Sequence, residues 1–75
     1  MSFVYVGLGN MIDTSRIIAI ANYAQPSIQE LVKQAEPSKV VDLSEGHKVK
    51  SVVFTDDGKL ILCNLSSELV LQRNV

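Results

Sequence analysis

A chain of 75 residues with a single cysteine, Cys63, and a single histidine, His47, must fold without a covalent or metal staple. Domains of this size bury only about 60% of the surface that the unfolded chain exposes, and many lean on disulfides, metal or partner subunits. One thiol forms no internal disulfide, and one thiol with one imidazole does not complete a Cys/His metal cage. That leaves an apolar core, self-association, or both. Hydrophobic residues make up 47% of the chain although only 5% are aromatic, an aliphatic excess that suits both routes. Part of this apolar surface is expected to meet another copy.

Seven Lys plus Arg stand against eight Asp plus Glu, net −1. No bulk basicity announces nucleic acid, so such a function must depend on where the cations lie. The longest apolar stretch, Ile17 to Ala21, is far short of the ~20 residues that span a bilayer. Met1-Ser2-Phe3-Val4 lacks the basic-then-apolar order of a signal peptide. An unpaired cysteine suits a reducing compartment, so a cytoplasmic location is expected. With no repeat, linker or low-complexity segment, residues 1–75 are expected to form one domain.

Phe3-Val4-Tyr5-Val6 predicts a strand, and Gly7-Leu8-Gly9-Asn10 a sharp bend into a short strand around Met11-Ile12. Asp13-Thr14-Ser15 is a polar turn. The unbroken run from Ile17 to Ala21 predicts a strand covered on both faces, the second by another subunit. Pro26-Ser27 opens a helix, with Ser27 placed to cap it and Glu30 to reach back to the Ser27 N–H. Ile28, Leu31, Val32 and Ala35 form its apolar stripe, and Pro37 stops it. Lys39–Leu43 predicts a strand that turns at Glu45-Gly46. Asp56-Asp57-Gly58 joins the runs Val49–Thr55 and Lys59–Cys63 into a hairpin. Ser66-Ser67-Glu68 starts a closing helix with Leu69, Val70 and Arg73. The expected class is α+β: about six short, mostly antiparallel strands, one central helix and a short C-terminal helix.

Catalysis is not expected. Cys63 lies in an apolar strand, where a cysteine behaves as a small inert hydrophobe, so it makes a poor nucleophile partner for His47. Asp56 and Asp57 are explained by their turn. A domain this small has little room for the usual ligand pocket of ~300–1,000 Å³, so no small-molecule substrate and no cofactor is expected. Gly7-Leu8-Gly9-Asn10 lacks the third glycine and the following helix of a dinucleotide loop. Asn10 and Asp42 are strand-end residues that satisfy backbone groups locally. Lys48 and Lys50 share a face if their strand reaches back to Lys48, with His47 just before. This is either a cationic surface or an ordinary solvated strand edge. Arg16 stands beside a polar turn, and the helix dipole explains Arg73.

The motifs resemble those of RemA-type proteins, small bacterial regulators of extracellular-matrix and biofilm genes. The shared order is Val6-Gly7-Leu8-Gly9-Asn10, Arg16 before Ile17-Ile18-Ala19-Ile20, Val41-Asp42, Gly46 before His47-Lys48-Val49-Lys50-Ser51-Val52, and Ile61-Leu62-Cys63 before Glu68, Val70, Gln72 and Arg73. Leu65-Ser66-Ser67 and the dilution of arginines look closer to the RemB-like branch. The resemblance implies a compact subunit similar to LytTR-type domains that closes into a homo-oligomeric ring. It also implies DNA contact through basic residues repeated around that ring. The family pattern after the shared glycine is two arginines, a neutral residue and another arginine; here those positions hold His47, Lys48, Val49 and Lys50, and Arg16 is kept. Glu45 stands where relatives tend to carry an aromatic residue, and Gln29 and Glu30 replace basic helix residues. The implied DNA-binding set is Arg16, His47, Lys48 and Lys50, and Ile17, Ile18 and Ile20 are expected at the oligomer interface. Two functions follow as expectations: a DNA-binding transcriptional regulator acting as a ring, or an oligomeric interaction module that pairs with a protein partner or a more basic paralogue.

Overall fold

The computed structural model describes the backbone of residues 2–73 and the side chains of residues 2–70. Six strands and two helices follow one another: β1 (Phe3–Gly7), β2 (Asn10–Asp13), β3 (Ile17–Asn22), α1 (Pro26–Gln34), β4 (Val40–Asp42), β5 (Ser51–Thr55), β6 (Leu60–Cys63) and α2 (Ser67–Arg73). Short 3-10 turns precede β3 and β4. The class is the α+β arrangement expected from sequence.

β1 and β2 form a two-stranded hairpin, and the other strands form a sheet ordered β3-β5-β6-β4. β3 and β6 both run antiparallel to β5, and β4 pairs parallel with β6, so β3 and β4 point the same way at opposite edges. The chain between them must cross one face of the sheet, and α1 lies on that crossover. Along β5 the side chains alternate between faces. Val53 packs with Cys63, with Val4, Val6 and Ile12 of the hairpin, and with Val70 of α2 in one buried cluster. Val52 and its cross-strand partner Leu62 lie on the other face and are also buried. The hairpin and α2 hold the first face, while α1 lies on the β3–β4 crossover with none of its residues fully buried. Ser51 sits fully buried in the first layer, where its hydroxyl donates to the Leu65 carbonyl at 2.7 Å.

Several local readings need correction. Ser27 does not cap α1; Gln25 occupies the cap position without a side-chain hydrogen bond, and Pro26 is the first helical residue. Proline has no N–H to satisfy there and its φ is preset for a helix, so the start needs no capping hydroxyl. Glu30 accepts instead from Gln34 Nε2 at 3.1 Å, one turn further on. The helix stops at Gln34, ahead of Pro37, because Ala35 is already extended (ψ 148°) and Pro37 opens a 3-10 turn. The strand expected from Lys39 to Leu43 contracts to Val40–Asp42. β3 is an edge strand of the larger sheet, and within one copy Ile18 and Ala19 are exposed, as expected of a strand whose second face is assigned to another subunit.

Candidate functional site

The segment from Glu45 to Lys50 turns the chain back into β5. Glu45 (φ 51°) and Gly46 (φ 84°) both take the left-handed conformation, which Gly46 accepts without a Cβ penalty. The His47 N–H donates to the Ser44 carbonyl at 2.9 Å and closes the turn. From there the backbone is held on both sides although the regular strand begins only at Ser51. The Lys50 N–H donates to the Cys63 carbonyl at 2.9 Å, its own carbonyl accepts from the Tyr23 N–H at 3.1 Å, and Asn64 Nδ2 donates to the Lys48 carbonyl at 2.8 Å. The regular strand begins at Ser51 and so does not reach back to Lys48, the condition set from the sequence for the two lysines to share a strand face; both nevertheless line one cleft. His47, Lys48 and Lys50 are all exposed. Among the described residues neither ammonium group is ion-paired.

A cleft of about 540 Å³ opens beside these lysines, lined by Asn22 and Tyr23 at the end of β3, Gln29 of α1, Lys48, Lys50 and Ser66. Its volume is ligand-sized, but it is an open depression and not the enclosed pocket considered from the sequence. The chain does not enclose it; the end of β3, α1, the segment before β5 and the residue before α2 meet at the surface and leave it open between them. Asn22, Tyr23, Gln29 and Ser66 went unnoticed as site residues in the sequence. The only hint was the polar turn Asn22-Tyr23-Ala24-Gln25 before Pro26, which looks like any helix approach.

Arg16 lies elsewhere. The Asp56 N–H donates to the Arg16 carbonyl at 2.9 Å, at the opposite end of the β3–β5 ladder from Lys50. Six residues of strand separate the two positions, about 20 Å. Arg16 Nε donates to Asp56 Oδ1 at 2.8 Å, its terminal amine lies 3.6 Å from Asp57, and Lys59 lies 3.8 Å from the same carboxylate. The hydrogen bond from the Thr55 hydroxyl holds the Asp57 carboxyl below its ordinary range, and the bond to Asp56 raises Arg16 further. Two cations and two carboxylates thus cancel. The expected DNA-binding set therefore divides into the His47–Lys50 segment and a neutralised Arg16.

Of the residues expected at an oligomer interface, Ile17 and Ile20 pack against the core cluster, whereas Ile18 is 69% exposed at a bulge between Ile17 and Ala19. Cys63 is fully buried, and burial pushes its thiol up to about 11, far from a reactive thiolate at neutral pH. No group of three His, Cys, Asp or Glu among the described residues is arranged to hold a metal ion. No helix is long and apolar enough to cross a membrane among those residues. Asn10 and Asp42 act locally as expected: Asn10 Nδ2 donates to the Gly7 carbonyl at 3.3 Å, and Asp42 accepts from the Ser44 N–H at 2.8 Å. The Arg73 side chain lies outside the described residues.

Comparison with known proteins places the chain in context. Residues 3–73 match the family model of RemA-like proteins, described as extracellular matrix regulatory protein A-like. A protein of Thermodesulfovibrio yellowstonii that bears a regulatory-protein name is 37% identical over 71 residues, covering 93% of this chain and 84% of the relative. A similarly named protein of Geobacillus thermodenitrificans is 34% identical over 74 residues, covering 97% and 85%. One from Dehalococcoides mccartyi is 30% identical over 74 residues, covering 97% and 77%.

Proposed function

The chain belongs to the RemA-like family of extracellular matrix regulatory proteins, and from that premise we propose that it is a DNA-binding transcriptional regulator of extracellular-matrix genes, working as a homo-oligomeric ring. The observation that supports this reading best is the pair Lys48 and Lys50: exposed, two residues apart in the segment that leads into β5, lining one cleft, and free of carboxylate partners among the described residues. His47 adds a third donor to the same segment. Two ammonium groups per subunit hold a duplex weakly. Repetition changes the arithmetic, because once one subunit is bound its neighbours meet the same duplex at raised effective concentration. Lysine offers a point charge, so contact is to the phosphate backbone, and sequence choice rests on DNA shape and bendability. Arg16 contributes less than an unpaired arginine does, since its Nε is engaged by Asp56 and Asp57 lies beside its terminal amine.

A second reading, an oligomeric protein-interaction module without its own DNA affinity, is favoured by one observation: the cation the family keeps, Arg16, is neutralised by Asp56 and Asp57. Gel-shift titration on promoter-length duplexes at two salt concentrations separates the two. The regulator shows binding that weakens with salt, by about 0.9 log units per log unit of salt for each phosphate neutralised. Replacing Lys48 and Lys50 by Ala together abolishes the shift while native mass is unchanged. A wild-type protein that assembles but shifts no duplex at either salt is the interaction module.

A further inference from the structure

We infer that the cleft beside Lys48 and Lys50 seats a small phosphorylated ligand with a planar ring, of the nucleoside-monophosphate kind, and that this ligand competes with DNA. The inference deepens the function proposed above and rests on the same two lysines taking a phosphate.

Its basis is the set of polar groups left unused around the cleft. Asn22 Oδ1 accepts from the Ala24 N–H at 2.9 Å, which leaves the Asn22 amide hydrogens to donate. Ser66 Oγ accepts from the Leu69 N–H at 3.2 Å and keeps its own hydrogen. Gln29 Nε2 donates to the Tyr23 carbonyl at 3.0 Å, so its Oε1 is left to accept. With the two ammonium groups, the wall is rich in donors. Among the described residues no carboxylate lines it, although acidic residues outnumber basic ones in the chain. Such a wall selects an anion, and the excess of donors suits the several oxygens of a phosphate group.

Size and apolar surface carry the argument past a bare anion. About 540 Å³ lies in the range of sites for organic ligands, well beyond what phosphate fills. Tyr23 and Val49 also line the cleft, Tyr23 supplying an aromatic surface against which a base can stack and Gln29 Oε1 an acceptor for an exocyclic amine. Since the same ammonium groups would neutralise the ligand and the DNA backbone, the two exclude each other. A subunit that binds such a ligand releases DNA.

The test is an amide NMR titration of the full chain with adenosine monophosphate, ribose 5-phosphate and inorganic phosphate in parallel, followed by competition against a fluorescent duplex. Adenosine monophosphate is expected to bind about tenfold more tightly than either phosphate that lacks the base, the worth of one base–aromatic stack. The shifts should centre on Tyr23, Ala24 and Val49. Tyr23→Leu, with its fold checked by circular dichroism, removes that tenfold preference; Lys50→Ala weakens all three ligands; saturating adenosine monophosphate displaces the duplex. Equal affinity for the three, or shifts scattered away from the cleft, overturns the inference. If the duplex binds through Lys48 and Lys50 while no ligand moves the cleft amides, the ligand site is wrong and the DNA reading stands. Cleft shifts without any duplex binding retain the ligand site and reject competition and the DNA reading.

Discussion

Lys50 and Arg16 carry the same charge, yet their surroundings give them different capacities. The sequence shows both as isolated cations near strand ends; only the pairing of β3 with β5 brings Asp56 to 2.8 Å from the Arg16 guanidinium. Surface ion pairs of this kind stabilise by about 0–1 kcal/mol, so the main effect of the pair is to occupy Arg16 rather than to hold the fold. Asp42 shows a stronger local dependence. Its carboxylate accepts from the hydroxyl and then the N–H of Ser44, and both bonds hold its pKa below the ordinary value. The Thr55 hydroxyl does the same for Asp57, and the Ser15 N–H for Asp13. The folded chain therefore binds fewer protons in acid than the unfolded chain. This stabilisation is fully present above the usual aspartate value of about 4 and is lost as pH falls through the lower native values. Thermal melts are expected to show the wild type losing more Tm between pH 5 and pH 3 than Asp42→Asn does. Parallel losses would remove Asp42 from this account.

The β1–β2 turn shows how far an element can be foreseen. Gly7 (φ 105°), Leu8 (φ 55°) and Gly9 (φ 80°) take left-handed backbone in succession, as the Gly-x-Gly spacing implies. What the spacing does not show is that Gly7 lies against Leu65, where an added Cβ would stand 3.1 Å from the Leu65 side chain. Strain and crowding combine there, so Gly7→Ala is expected to cost roughly 2 kcal/mol or more, read from denaturant melts. A loss below about 0.5 kcal/mol would mean that the turn relaxes freely. In α1 the apolar spacing of Ile28, Leu31, Val32 and Ala35 was enough to foresee the helix, because burying one stripe needs that period. Its cap was misread because a proline at the first helical position and a serine after it fit two different starts. The Asp56-Asp57-Gly58 hairpin was legible for the opposite reason: turn residues act through their own φ and ψ and need no distant partner.

Across the whole molecule, apolar surface remains unpaired within one copy. Ile18, Met11, Phe3 and Leu31 are each half-exposed or more, and β3 leaves one edge of the larger sheet open. An uncharged open edge with an exposed isoleucine invites another chain. Ile18→Glu is expected to lower the native mass measured by sedimentation without unfolding the subunit, whereas Ile20→Glu, directed into the core, unfolds it. A wild-type protein that sediments as a stable monomer at micromolar concentration would remove both the ring and the avidity on which the DNA reading depends. The sequence by itself determined the class of fold, the helix stripe, both tight hairpins and the burial of Cys63, because these follow from local backbone preference and from hydrophobic period. Tertiary structure alone decided that Arg16 is neutralised, that Ile18 and not Ile17 or Ile20 faces outward, and that Asn22, Tyr23, Gln29 and Ser66 meet beside the lysines. Those outcomes depend on strand order and on one bulge in β3, which join residues distant in the chain and leave no periodic trace in it.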